Sequence, residues 1–252
     1  MKIVVLAGGL SNERDVSLVS GRGICEALRE RGHQAVLLDV FLGYDGTPDF
    51  EHLFGPEPGK QSDGTGTYDL LGEIAIQSVN PDIEAVQAMR QDNEGLFGPN
   101  VVEICRRADI VYLGLHGAEG ENGKVQAAFD VLGIQYTGSG YLGSALAMDK
   151  GMAKKLFHYA GIPTPKGFSV TEATAGKGNE VGYPCVVKPC SGGSSVGVSI
   201  AENEEEYRSA LETGFHYEKE LLVEECIRGR EFSVGVSPAV WSTPSVRRVF
   251  TN

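Results

Sequence analysis

The residues best equipped for chemistry fall in a few short stretches. Between Pro184 and Ile200 an apolar β-branched pair, Val186 and Val187, leads into Lys188 and Pro189; Ser191, Gly192, Gly193, Ser194 and Ser195 follow, and a second β-like run through Val196, Val198 and Ile200 leaves. That is the pattern of a hairpin with a glycine- and hydroxyl-rich tip. Glycines allow several backbone N–H groups to approach one ligand, which suits a phosphate, and Lys188 adds a point charge at the base. The same pattern also describes a plain surface turn, and the hairpin alone does not choose between the two. His116 follows the apolar run Ala108 to Leu115 and stands beside two carboxylates, Glu119 and Glu121. A lone histidine is usually structural, but one at the carboxyl end of a parallel-type strand is well placed to meet a ligand. Lys150 and the pair Glu224 and Glu225 complete the set.

These residues need elements to hold them. Lys2 to Ala7 reads as a buried strand running into Gly8 and Gly9, and Val16, Val19, Ile24, Ala27 and Leu28 recur at roughly helical spacing before Ala35 to Val40, a second strand. Strand, helix, strand opens a parallel α/β sheet, whose ligands gather at the carboxyl ends of its strands. From Phe41 to Phe97 the pattern dissolves into glycines and prolines, with short strands expected near Leu70 and Ile74. Order returns with a helix over Val101 to Arg107, the strand Ala108 to Leu115, a helix over Lys124 to Leu132 and a short strand over Ile134 to Thr137. One helix is predicted over Tyr141 to Ala160, then a proline linker through Pro163 and Pro165, a strand over Gly167 to Val170, and the hairpin. An acidic helix from Asn203 to Thr213 and strands over Glu220 to Glu225 and Arg230 to Val236 follow, which suggests an α+β second domain.

Composition narrows the function. The 252 residues carry a formal net charge of −12, so a surface for nucleic acid or anionic lipid is not expected. Five cysteines without paired spacing argue against a metal cluster or a disulfide frame, and for reduced thiols in the cytoplasm. No apolar run is long enough to span a membrane. Gly138, Gly140 and Gly143 match G-x-G-x-x-G, but no acid lies between Lys150 and Thr171 to take a ribose, so these glycines read as a tight strand-to-helix turn. The stretch from Gly117 to Val125 has the wrong spacing for a P-loop and a valine where a hydroxyl is needed. An ATP-binding hairpin domain joined to a substrate domain accounts for the most features.

Five ordered stretches carry a resemblance: GGLSNERDVSLVSG (Gly8 to Gly21), LHGAEGENG (Leu115 to Gly123), YTGSGYLGSALAMDK (Tyr136 to Lys150), VVKPCSGGSSVGVS (Val186 to Ser199) and VEECIRGREFSVGV (Val223 to Val236). Together they resemble the D-alanine–D-alanine ligases of the ATP-grasp superfamily. The resemblance implies an α/β N-terminal parallel-sheet domain (pre-ATP-grasp) followed by an α+β ATP-grasp domain, incomplete at the C-terminus. It divides the chain into a substrate-binding domain over 1–138, a central ATP-grasp subdomain over 139–224 and a remnant of the C-terminal subdomain over 225–252. It implies ATP-dependent joining of two D-alanines through an acyl phosphate for peptidoglycan precursor synthesis, with Mg²⁺, in a cytoplasmic homodimer. Carried onto this chain, Glu13 binds the ammonium of the first D-alanine, His116 lies near its carboxylate, and Lys150 and Lys188 hold phosphates. Ser194 reaches toward Glu13, and the amides of Gly193 and Ser195 cover the γ-phosphate. Glu224 and the backbone from Glu225 to Ile227 read adenine, and Glu231 reads the ribose.

The chain departs from the family's pattern in two places. The family often has lysine where Glu225 stands, and no Asp or Glu follows Glu231, so the family's magnesium ligands are expected to be absent. The tail Ser237 to Asn252 shows no periodicity and no family motif, and this polypeptide is expected to have little or no ligase activity of its own. Two alternatives stay open: a D-alanine–D-lactate ligase, and a non-catalytic nucleotide-binding protein on the same half-fold.

Overall fold

A computed structural model describes residues 1–50, 53–54, 81–90, 95–191, 193 and 195–232. Among them the first sheet is parallel, built from β1 (Lys2–Ala7), β2 (Gln34–Asp39) and β3 (Ile110–Leu113) in the order β2-β1-β3. β1 is central and buried on both faces because its residues are apolar without alternation. Val4 and Leu6 join Val36, Leu38, Phe41, Val111 and Phe129 on one face. Ile3, Val5 and Ala7 pack against Leu18 and Cys25 of helix α1 (Arg14–Glu30) on the other. The first face is covered in part by α3 (Val101–Arg106) and α5 (Lys124–Leu132); α2 (Ile83–Ala88) is as short as α3, and α4 (Ala118–Glu121) is a single turn. The strand expected over Ile134 to Thr137 reduces to one parallel bridge, Val111 to Tyr136. The short strands expected near Leu70 and Ile74 lie outside the described residues.

The single helix predicted over Tyr141 to Ala160 is two helices, α6 (Tyr141–Met148) and α7 (Lys150–Tyr159). Asp149 breaks it with an extended ψ of 98° and caps α7 by accepting from the Met152 N–H at 2.8 Å. The Lys150 N–H donates to the Cys190 carbonyl at 2.8 Å, a bond made across the chain that helical periodicity does not register.

The second sheet is antiparallel, with β4 (Gly167–Thr171), β5 (Cys185–Pro189), β6 (Ser199–Ala201) and β7 (Glu220–Glu225) in the order β4-β7-β5-β6. β5 and β6 form the predicted hairpin, with Cys185 opposite Ala201 and Val187 opposite Ser199. One face of the sheet buries Cys185, Val187, Leu221 and Val223 against Tyr207, Ala210 and Leu211 of α8 (Glu204–Phe215). Asn203 caps α8 as expected, accepting from the Glu206 N–H at 3.0 Å. The opposite face carries Val186, Lys188, Leu222 and Glu224, with Val186 opposite Glu224 and Lys188 opposite Leu222. Arg230, Glu231 and Phe232 are not in a strand, and the rest of the strand expected over Arg230 to Val236 lies outside the described residues.

Candidate active site

At the end of β1 the chain turns through Gly8 and Gly9, both with positive φ. A Cβ on Gly8 would stand 2.4 Å from Asp39 Oδ2, so only glycine lets the turn sit on that carboxylate. Asp39 is in turn paired with Arg14 at 2.5 Å, both side chains almost fully buried, and Arg14 also donates to the Gly9 carbonyl at 2.7 Å. Ser17 stitches the first strand to the third: it accepts from the Gly8 N–H at 2.9 Å and donates to the Gly114 carbonyl at 2.6 Å. These contacts fix the loop that carries Glu13 and the strand end that carries His116. The Ser11 hydroxyl donates to the His116 carbonyl at 2.7 Å and accepts from the Glu13 N–H at 3.2 Å, and His116 Nε2 lies 3.3 Å from Ser20 Oγ. Partial burial raises the Glu121 carboxyl above its ordinary range, the nearby Glu13 charge adds to the rise, and His116 and the Gly117 N–H oppose it.

Across the cleft stands the hairpin. A Cβ on Gly117 would lie 3.3 Å from Glu13 Oε2, and one on Gly193 would lie 3.7 Å from the same oxygen. The Glu13 carboxylate therefore faces the backbone of both sheets' loops. A cavity of about 370 Å³ occupies this space, lined from one side by Ser11, Glu13 and Gly117 and from the other by Ser191, Gly193 and Glu218. Ser195 has φ 58°, a left-handed conformation unusual outside glycine, and accepts from the Val198 N–H at 3.2 Å. Ser194, expected to reach toward Glu13, lies outside the described residues.

At the hairpin's base Lys150 Nζ donates to the Cys190 carbonyl at 3.4 Å, within reach of the Lys188 charge. Burial holds the Lys150 ammonium below its usual range and the Lys188 charge pushes it further down, while Glu218, Cys190 and Asp149 oppose the shift. A site with two close ammonium groups fits a polyphosphate. Lys188 pairs with Glu224 Oε2, and Lys154 with Glu224 Oε1 at 2.7 Å. Burial alone would raise Glu224, but hydrogen bonds from Lys154 and Lys188 and their charges hold it low. Gly167 makes room for this arrangement: a Cβ there would lie 2.9 Å from Glu224 Cγ and 3.1 Å from Lys154 Cε. Lys154, not anticipated from the sequence, also donates to Thr164 Oγ1 at 3.1 Å and to the Pro165 carbonyl. Lysine four residues after Lys150 in a helix is the one sequence signal for it, since that spacing returns to the same face. Glu225 accepts from the Lys166 N–H at 3.0 Å, and Ile227 and Glu231 are exposed beyond the end of β7.

Comparisons with known proteins give the family. A model described as the D-ala D-ala ligase N-terminus matches residues 2–139, and one described as the D-ala D-ala ligase C-terminus matches residues 156–249. The chain belongs to the D-alanine–D-alanine ligase family. A D-alanine–D-alanine ligase of Lacticaseibacillus casei is 47% identical over 239 residues, covering 94% of this chain and 64% of that protein. One from Geobacter sulfurreducens is 36% identical over 241 residues. The structure of a Bacillus anthracis D-alanine–D-alanine ligase complexed with ATP superposes with a TM-score of 0.61 at 29% identity, covering 91% of this chain and 60% of that one. This ligase-family chain thus spans a little under two thirds of the length of the relatives it matches. The tail from Ser237, expected to lack any family pattern, is matched through residue 249. Among the described residues no group of three His, Cys, Asp or Glu side chains is placed to hold a metal ion, and no helix is long and apolar enough to cross a membrane.

Proposed function

We propose that this chain carries the nucleotide site and the first-substrate site of an ATP-dependent ligase joining two D-alanines. The observation that supports it most is the convergence of the Glu13 carboxylate, the Gly117 backbone and the Gly193 backbone on one cleft, whose lining residue Glu218 interacts with the Lys150 charge. In this reading Glu13 takes the ammonium of the first D-alanine and His116 lies by its carboxylate. Lys150 and Lys188 hold phosphates and the amides of Gly193 and Ser195 cover the terminal one, with Ser194 closing toward Glu13. Glu224, already anchored by two lysines, and the backbone of Glu225 to Ile227 receive adenine; Glu231 receives the ribose hydroxyls. ATP supplies the activation that a carboxylate lacks: its terminal phosphoryl group passes to the carboxylate of the first D-alanine with release of ADP, and the amine of the second D-alanine then attacks the acyl carbon and expels phosphate. The protein's share is positioning, charge neutralisation and exclusion of water from that intermediate. The described side chains do not fit a magnesium site. The reading carries with it a cytoplasmic site of action and a homodimer.

Calorimetric titration tests it. ATP and D-alanine should each bind the purified 252-residue chain, and Glu13→Gln should remove D-alanine binding while sparing ATP. Failure of ATP to bind, or D-alanine binding indifferent to Glu13→Gln, would overturn the reading. Turnover to ADP should be slight, because no Asp or Glu follows Glu231 in these residues. ATP binding without any D-alanine site would favour the non-catalytic alternative.

A further inference from the structure

Two consecutive residues outside the roles assigned above hold the hairpin loop at both of its ends. In the turn between α8 and β7, Glu218 accepts from the Ser191 N–H at 2.8 Å through Oε2 and from the Ser191 hydroxyl through Oε1. At the loop's far end Gly197, with φ +71°, sits so close to Pro189 and Tyr217 that a Cβ there would lie 2.9 Å from Pro189 Cγ and from Tyr217 Cδ2. The turn that carries both residues is itself fixed. The N–H groups of Tyr217 and Glu218 donate to the Gly214 carbonyl at 2.9 and 3.1 Å. Gly214 in turn packs on the core residue Leu221, whose Cδ1 a Cβ would meet at 2.6 Å. The hold therefore runs from the core under α8 to both ends of the loop, and Pro189, Ser191, Tyr217 and Glu218 all line the same cleft.

We propose that Tyr217 and Glu218 are positioning residues that set the hairpin loop against the phosphate side of the cleft before a nucleotide arrives. The proposal rests on the nucleotide reading for its ligand, though not for the hold itself. A loop with glycines at 193 and 197 has many conformations to lose when it closes on a ligand, and fixing both ends beforehand removes part of that loss. The bidentate carboxylate contact to Ser191 is charge-assisted, the stronger class of hydrogen bond. Glu218 also faces Lys150 and favours its charged form, so one side chain serves both the loop and the phosphate lysine.

A double-mutant cycle on the full 252-residue chain tests this. Ser191→Ala and Glu218→Ala are made singly and together, with ATP affinity read by calorimetry and amide hydrogen exchange of the Cys190 to Val198 peptide read without ligand. Each single change should weaken ATP binding by about tenfold, the worth of one charge-assisted hydrogen bond. The double change should be no weaker than Glu218→Ala alone, because Glu218→Ala already removes both bonds to Ser191, of which Ser191→Ala removes only the hydroxyl one. Exchange of the peptide should rise in Glu218→Ala and in Tyr217→Ala and stay at the wild-type rate in Tyr217→Phe, which keeps the ring. Losses that multiply in the double variant, or unchanged affinity and exchange, would overturn the proposal. If Glu218→Ala does not fold, Ser191→Ala at the exposed side of the contact decides by the same two measurements. If the wild-type chain binds no ATP, the nucleotide reading fails on its own; the exchange data then decide the hold, faster exchange sustaining it and unchanged exchange ending it.

Discussion

Replacing Lys154 with methionine isolates one ion pair in the candidate nucleotide site. Lys154 and Glu224 lie 2.7 Å apart with side chains 11% and 10% exposed, and Lys154 also donates to Thr164 and Pro165. Removing one partner of a buried pair typically costs about 3–5 kcal/mol, because the other charge is left without compensation. Here Lys188 stays on the second oxygen of Glu224, so the expected cost is about 2–3 kcal/mol, with methionine retaining most of the apolar stem. For a chain of this size that corresponds to a fall in melting temperature of about 5–10 °C. The pH dependence supplies a second check. Glu224 is held below its ordinary value of 4.5 in the folded chain, so its stabilisation is present above that value and is lost as pH falls through the lower, folded one. The gap between wild type and Lys154→Met, read by thermal melts followed by circular dichroism, should therefore be widest near neutrality and narrow in acid. A variant that melts within about 1 °C of wild type at pH 7, or a gap that persists unchanged into acid, would refute this account of the pair.

Other outcomes follow from the same contacts. Gly117→Ala places a methyl 2.6 Å from Ser11 Cβ at a φ of +81°; it should weaken D-alanine binding at least tenfold and lower stability by about 2 kcal/mol, checked by titration and urea unfolding. Asp39→Asn leaves the buried Arg14 without its counter-charge and should cost about 3 kcal/mol in urea unfolding, without altering the ATP affinity of folded protein. Polyphosphate beside Lys150 should restore the proton that burial and Lys188 disfavour, so ATP binding should take up protons at alkaline pH. Calorimetry in two buffers of different ionisation enthalpy reads that uptake, and Lys150→Met should abolish it.

What could be read from the sequence was local. The strands Lys2–Ala7 and Glu220–Glu225 and the helix Lys124–Leu132 stand where apolar runs and helical spacing place them, because burial of those residues and their own periodicity agree. The break at Asp149 was not legible, since it depends on an N–H meeting a carbonyl from the hairpin. The stretch Ile134 to Thr137 has strand-like composition but meets the sheet at a single bridge. In the site, Glu13, His116, Lys150 and Lys188 were visible as charged residues at strand ends, helix starts and glycine loops. Lys154, Tyr217 and Glu218 were not. Each lies in an ordinary helix or turn sequence, and each acts through a partner that only the tertiary structure brings near.

The bond from the Lys150 N–H to the Cys190 carbonyl bears on how such a chain can change over time. Lys150 begins a helix and Lys188 lies one residue before the end of a strand, and this bond ties the backbone of the one to the residue that follows the other. Inserted or deleted residues between Thr171 and Tyr183, a stretch of turns outside the paired strands, leave that tie intact and should be tolerated. A single residue added between Lys188 and Cys190 would shift the carbonyl off its donor and separate the lysines. Variation in length among related sequences should therefore collect in the first interval and be all but absent from the second.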